Sequence, residues 1–362
     1  MMRKLRCVLG AGAALTALAF TAPVSAGPTL LFDAKSGTVL YAEDADSQWH
    51  PASLTKIMTA YLTFEAIKTG KLALDAKIPM TDAGFLQPPS KVGLPVGAEI
   101  SVDTALQALI VKSANDVAMA LGEAIAGNEA AFVEKMNATA KRLGMSRTNF
   151  VNPNGLPAPE QMTTAHDLAR LARAVAMEYP QYGGYWAMPE MRIGNRRLHT
   201  HNNLLKTFEG ADGLKTGFIC DSGYNVIASA TREGQRLMVV VLGETSGAER
   251  NTRAASLLEH GFQLSGWKQL FNPTTVDNMA LDPEAKPIAK ISERVNSWEC
   301  GARRGVVKAR QVRARVAAAK AAAGGKKHEP NVRRAKSAQA TAAAPAAAAA
   351  PAAAAAAEPA KK

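Results

Sequence analysis

Residues 224–244, YNVIASATREGQRLMVVVLGE, decide the fold class. They read as two strands, 224–232 and 236–244, and the second holds the apolar run Leu237-Met238-Val239-Val240-Val241-Leu242. A shorter strand pattern, 218–219, precedes them. Upstream, helical periodicity recurs at about 103–125, 128–142 and 164–178, and downstream at 250–263. Residues 53 to about 67 are also helical, with apolar positions at 54, 57, 58, 61 and 64 and a stop at Gly70. The chain opens on a hairpin, 29–33 and 39–42, around the turn Ala34-Lys35-Ser36-Gly37. Helices thus lie between an early hairpin and a late β meander. That order predicts an α+β fold in which both chain ends build one antiparallel sheet, flanked by helices.

Charge is unevenly distributed along the 362 residues. The formal net charge is +12, and residues 301–362 alone, with 14 Lys+Arg against two acids, account for all of it. Residues 27–300 sum to −3. A nucleic-acid-binding body is thereby excluded, since such a domain carries its own basic face. The tail is rich in Ala, Pro, Lys and Arg and lacks large apolar residues beyond a few Val. It cannot offset its ordering entropy by burial and is expected to be disordered, with 306–323 able to form a transient helix.

The first 26 residues read as an export signal: a basic stretch over 1–6, an apolar run over 7–20, and the small residues of Val24-Ser25-Ala26 before a cleavage after Ala26. An uncleaved anchor is the competing reading, but the run is short for a span. Export places the mature chain in an oxidising compartment and removes Cys7, leaving Cys220 and Cys300. These two either pair or remain as buried thiols, and sequence does not choose between them. Domain boundaries follow: signal 1–26, folded body 27–270, a short extension 271–300, and the basic tail 301–362. Of the six histidines only His199 and His201 lie close together, with no carboxylate or thiol nearby. No metal site is expected, and the pair reads as an exposed strand or groove wall.

Three short motifs carry chemistry. Ser53-Leu54-Thr55-Lys56 places a serine and a lysine one turn apart at a helix start. A serine hydroxyl becomes a useful nucleophile when a base takes its proton, and a lysine is that base when burial and nearby cations lower its pKa. Ser265 and Lys268 have the same spacing in a surface-like turn, so spacing alone is weak. Ser113-Ala114-Asn115 offers a hydroxyl and a carboxamide two apart, able to face Lys56 or simply to cap a helix. Lys215-Thr216-Gly217, at a strand edge, would bind a carboxylate by charge and hydroxyl, with Gly217 leaving room for a peptide to lie along the edge. Lys68-Thr69-Gly70 is the same tripeptide, but it ends a helix and its glycine reads as a cap.

The ordered triple is what is specific. With residues 51–58, 144–156, 164–169 and 212–217, it resembles the serine-type D-alanyl-D-alanine carboxypeptidases, the low-molecular-mass penicillin-binding proteins, over about residues 27–265. The resemblance implies a DD-peptidase/β-lactamase-like fold and no cofactor. It also implies roles: Ser53 as nucleophile, Lys56 as base, Ser113 and Asn115 as the relay and positioning pair, and Lys215 with Thr216 as the carboxylate anchor. The backbone N–H groups of Ser53 and Phe218 would form the oxyanion hole, and Arg250 would be a second carboxylate ligand, with Arg253 close enough to take that role. The implied substrates are peptidoglycan stem peptides, with β-lactams as covalent inhibitors, in the periplasm or peripherally at the inner membrane.

Three alternatives remain open. The first is a DD-endopeptidase on the same scaffold. The second is a weak β-lactamase, although the 150–156 loop carries no acid to activate a deacylating water. The third is a non-catalytic wall-binding protein, which three intact motifs argue against. Many relatives carry a small β domain after the catalytic one and an amphipathic membrane helix. Residues 271–300 are too few for the first, and the tail lacks the Trp, Phe or Leu needed for the second. The tail's charge instead implies anionic lipid or acidic wall polymer as a partner, or a solvated spacer.

Overall fold

The computed structural model describes residues 27–271, 273–295 and 300, and the side chains of 265–271 are left aside. The expected export signal and the basic tail with its 306–323 segment lie outside the described residues. The chain divides into two compact units, Met1–Val306 and Val307–Lys362, and every described residue falls in the first.

The expected α+β architecture is present. Strands β1 (Thr29–Asp33) and β2 (Val39–Glu43) form the opening hairpin, and helix α1 (Lys56–Lys68) follows a 3-10 turn at Ala52–Thr55. Then come β3 (Lys77–Pro79), α2 (Asp82–Phe85), β4 (Glu99–Ser101), α3 (Val102–Gln107), α4 (Asn115–Ala126), α5 (Glu129–Arg142) and α6 (Ala165–Glu178). A second set comprises α7 (Gly183–Trp186), β5 (Glu190–Ile193), β6 (Arg196–His199) and α8 (Leu204–Thr207). The chain closes through β7 (Ala211–Ile219), β8 (Gly223–Arg232), β9 (Gln235–Glu244) and α9 (Gly247–Phe271).

The main sheet has the antiparallel order β2-β1-β9-β8-β7, so the two chain ends meet at the β1–β9 pair, where Leu31 faces Val239. This explains why β9 is apolar throughout rather than alternating. Leu237, Val239 and Val241 pack with Ala254 and Leu258 of α9 on one face. Met238, Val240 and Leu242 join Ile57 of α1 and Leu168 of α6 on the other. A strand covered on both faces has no side free for polar residues. Helix α1 is likewise buried nearly all round.

Two expectations are corrected. The helix read over 103–125 is broken: α3 runs through a wide π-type turn, Ala108–Lys112, into Ser113 at φ 60° and ψ 40°, and α4 starts afresh at Asn115. Backbone contacts outside the helix take over, with Asn115 N–H donating to the Ser90 carbonyl. The strand read at 218–219 is nine residues long and contains Lys215-Thr216-Gly217 in its interior. Pairing with β8 overrides the turn-like Asp212-Gly213.

Residues 273–295, read as a short extension, form a strap on the body. Thr275 bridges to Thr38, and Val276 is fully buried. The Val276 carbonyl accepts from His166 Nε2 at 2.8 Å and Arg170 Nε at 2.9 Å. Farther along, Ile291 N–H donates to the Asp221 carbonyl at 3.2 Å. Cys220 and Cys300 are joined by a disulfide with Cα atoms 5.4 Å apart.

Candidate active site

The three motifs converge on one cleft of about 580 Å³, lined among others by Ser53, Ser113, Asn115, Thr216, Phe218 and Arg250. The 3-10 turn delivers Ser53 to its floor. Ala52, just before it, has φ 49°. With Ser113, two non-glycine residues thus sit in the left-handed region beside the reacting hydroxyl, a strain of about 1–3 kcal/mol each that the packed surroundings hold in place.

Lys56 is entirely buried. Its Nζ lies 3.0 Å from Ser53 Oγ, 2.8 Å from Asn115 Oδ1 and 2.5 Å from the Asn154 carbonyl. Burial first, and then the charge of Lys215, hold this amine well below the ordinary lysine range, with Asp116 opposing the shift. A neutral amine has two N–H groups and one lone pair. Asn115 Oδ1 and the Asn154 carbonyl only accept, so they match the two N–H groups and leave the lone pair for the Ser53 hydroxyl. That is the arrangement of a base poised on its nucleophile.

Ser113 Oγ is buried with no hydrogen-bond partner among the described residues, 'free' to receive or pass a proton. Asn115 is fixed at both ends, since its Nδ2 donates to the Pro88 carbonyl at 2.9 Å. Asp116, fully buried, accepts from the Val92 and Gly93 N–H groups and pins the 88–93 loop at the rim of the cleft.

On β7, Lys215 is 2% exposed, and its Nζ donates to the Thr216 carbonyl at 3.1 Å. Burial, followed by the Arg250 charge, lowers it to about 7. Arg250 is also buried, and desolvation brings it to about 10, so it remains a cation at neutral pH. Arg253 does not reach the cleft: it pairs with Glu244 at 2.9 Å and Glu43 at 2.8 Å. Geometry thus separates two arginines that the sequence left as alternatives. Phe218 lines the cleft and packs its ring 4.3 Å from that of Tyr224.

Gly217 has a further reason beside the one expected. A Cβ there would lie 2.9 Å from the Pro51 carbonyl oxygen and 3.1 Å from the Ser53 nitrogen. The missing side chain lets β7 press against the turn that carries Ser53. Gly155, at φ 81°, makes a still closer approach, with a Cβ 1.8 Å from the Ala52 carbonyl oxygen.

Several contributors carried no signal that the sequence reading used. The Asn154 carbonyl is a backbone group. Gln161 ties Thr55 Oγ1 to the Val151 N–H and so joins the 150–156 loop to the serine turn. Asn225 donates to the His50 carbonyl at 3.1 Å and accepts from Gly243 N–H at 3.0 Å, linking that turn to the sheet. His201 lines the cleft and is lowered to about 4 by burial and by Lys215, Lys112 and Arg250, so it stays neutral. His199 stands apart, exposed on β6 and 3.6 Å from Glu190. Among the described residues, no cluster of His, Cys, Asp or Glu could hold a metal.

Residues 16–246 match the family model described as D-alanyl-D-alanine carboxypeptidase. The chain is 36% identical over 247 residues to the D-alanyl-D-alanine carboxypeptidase DacC of Escherichia coli, covering 66% of this chain and 62% of that one. It therefore spans less than two thirds of that relative's length. Among solved structures it resembles penicillin binding protein 5 from Haemophilus influenzae, with a TM-score of 0.64 and 33% identity over 66% of this chain and 71% of that one. It also resembles a penicillin-binding protein from Listeria monocytogenes in a cefotaxime-bound form, with a TM-score of 0.60 and 33% identity over 66% and 97%.

Proposed function

Because the chain belongs to the D-alanyl-D-alanine carboxypeptidase family of serine peptidases, we propose that it removes the terminal D-alanine from peptidoglycan stem peptides through an acyl-enzyme on Ser53. One observation carries this reading: the fully buried Lys56 amine lies 3.0 Å from Ser53 Oγ and faces two obligate acceptors with its other positions.

Lys56 takes the Ser53 proton as Oγ attacks the penultimate D-alanine carbonyl. The backbone N–H groups of Ser53 and Phe218 receive the oxyanion. The C–N bond then breaks, and the departing amine takes a proton from Lys56 by way of Ser113. Water enters and gives its proton to Lys56 as its oxygen attacks the acyl carbon; the ester C–O bond then breaks, Lys56 returns the proton to Ser53 Oγ, and the shortened stem leaves as a carboxylic acid. Lys215, Thr216 and Arg250 hold the terminal carboxylate, which is why two buried cations stand at that end of the cleft.

The same serine is the target for β-lactams, a reading supported by the cefotaxime-bound relative. No Asp or Glu is among the described residues that line the cleft. A β-lactam acyl-enzyme therefore lacks a carboxylate to activate water, which favours slow release over β-lactamase turnover. The proposed setting is the periplasm, reached by the signal over residues 1–26. The basic tail is proposed to bind polyanions such as anionic lipid or wall polymer, and unchanged salt-dependent pelleting after removal of 301–362 would discard that idea.

Incubation with stem peptides ending in D-Ala-D-Ala, followed by mass analysis, tests the central reading. Loss of one alanine supports it. Cleavage of cross-linked dimers alone would assign an endopeptidase.

A further inference from the structure

A second trough, about 310 Å³, is lined by Pro157, Pro159, Ile219, Ile288, Asp221 and Lys290, with the ring of His50 also at its wall. Two of its walls continue those of the catalytic cleft. Ile219 follows Phe218 along β7, and Pro157 follows Leu156 along the loop. The third wall, Ile288 and Lys290, comes from the strap. That strap is held where it meets β7: Ile291 N–H donates to the Asp221 carbonyl, and Cys220 is bonded to Cys300. The lining combines an apolar stretch with one carboxylate and one ammonium. Among the described residues neither the Asp221 carboxylate nor the Lys290 ammonium takes part in a hydrogen bond or ion pair.

The direction of the substrate follows from the anchor. With the terminal carboxylate at Lys215, Thr216 and Arg250 and the reacting carbonyl at Ser53, the acyl part runs the other way along β7. It passes Gly217 and Phe218 toward Ile219. The residue immediately before the D-Ala-D-Ala pair then lies on the side where Leu156 and Phe218 lead into Pro157 and Ile219 of the second trough.

We propose that this trough is a specificity subsite for that side chain, and that it selects a run of methylenes ending in both an amine and a carboxylate, as in a diaminopimelate-type residue. The proposal rests on the acyl-transfer reading given above. The methylenes lie on Pro157, Pro159, Ile219 and Ile288, where burial of apolar surface is favourable. Asp221 receives the ammonium and Lys290 the carboxylate. A lysine-type side chain satisfies Asp221 alone, and an acetylated lysine satisfies neither charge. Because Ile288 and Lys290 belong to the strap, the Cys220–Cys300 bond helps to hold the subsite together.

The test compares kcat/KM of the full chain on three tripeptides, diaminopimelyl-, lysyl- and diacetyl-lysyl-D-Ala-D-Ala, alongside the rate of acylation by a fluorescent penicillin. The expected order is diaminopimelyl, then lysyl, then diacetyl-lysyl, with about tenfold between the extremes, the scale of two partly screened charge contacts. Asp221→Asn and Lys290→Ala each reduce that ratio, and Cys300→Ser does so without touching either charge. Penicillin acylation stays at the wild-type rate in all three variants, which also reports that they fold. Equal kcat/KM on all three peptides, or a ratio unmoved by Asp221→Asn and Lys290→Ala, overturns the subsite while leaving Ser53 chemistry intact. A wild type that never acylates overturns the acyl-transfer reading itself.

Discussion

Lys56 and Lys215 are both buried beside one cleft, close enough for the charge of Lys215 to act on Lys56, and in each the largest influence on the amine is the loss of water. Lys56 has three oxygens around Nζ, two of which only accept, so a neutral amine fits its cage. Lys215 donates to a single neighbouring carbonyl and otherwise faces a cleft with Arg250 and His201 at its wall. The first lysine is complete without substrate. The second, lowered to about 7, has a single acceptor and is suited to an anionic ligand. Burial alone therefore does not assign a lysine its role, and the acceptors around it do.

The sharpest way to break this contrast is to remove the base. Lys56→Gln is expected to slow acylation by fluorescent penicillin by about 10³- to 10⁴-fold, the range of a positioned general base. A variant within tenfold of wild type would take the base assignment away from Lys56.

Lys215→Met should act in two opposite directions. Loss of the anchor is expected to lower kcat/KM on D-Ala-D-Ala peptides by about 10²-fold, the scale of a charge contact made to a desolvated carboxylate. Stability should move the other way. The folded value of about 7 lies below the ordinary 10.5, so between these values the unfolded chain binds the proton more tightly. The destabilisation is full below about pH 7, shrinks as pH rises toward 10.5, and is absent above it. Thermal unfolding of Lys215→Met should therefore show a higher Tm than wild type near pH 7 and a vanishing difference toward pH 10.5. An unchanged Tm at pH 7 would mean that Lys215 is better satisfied than its single hydrogen bond implies.

The pH profile of kcat/KM joins the two lysines. Activity rises as Lys56 deprotonates, below the usual lysine range, and falls as Lys215 loses its charge near 7 in the free enzyme. Lys215→Arg should move the alkaline limb upward and leave the acid limb in place. If both limbs moved together, the charge of Lys215, which already lowers Lys56, would be setting both titrations.

The smallest effects separate the arginines. Arg250→Ala is expected to raise KM about tenfold with little change in kcat, as for a contact made equally in ground and transition states. Arg253→Ala removes ion pairs to Glu43 and Glu244 outside the cleft and should leave kinetics unchanged, with about 0–1 kcal/mol lost in denaturant melts.

Much of this was readable in advance because side-chain chemistry and periodicity are local. The hairpin, the meander and the helices at 128–142 and 164–178 follow from apolar spacing, and Ser53, Lys56, Ser113, Asn115, Lys215 and Thr216 announce themselves by type and order. Where a neighbour distant in sequence sets the backbone, the reading failed. The break at Ser113 depends on Ser90, twenty-three residues away, and β7 extends through a turn-like Asp-Gly because β8 pairs with it. A backbone carbonyl such as that of Asn154 has no signature in residue type at all. The strap was equally hidden, because much of its hold on the body is made by main-chain groups, with bonds to Gly37, Gln48 and Asp221, together with buried Val276, Ile291 and Val295.

Sequence by itself determined the fold class and the family resemblance and named the candidate reacting groups, since these depend on which residues occur and in what order. Tertiary structure decided the downward pKa shifts of the two lysines, which of two arginines reaches the cleft, why Gly217 must lack a side chain, and that the C-terminal strap walls a second trough. The physical reason is common to all four. Desolvation, close approach and charge pairing are properties of neighbours in space, and the chain supplies those neighbours only once it has folded.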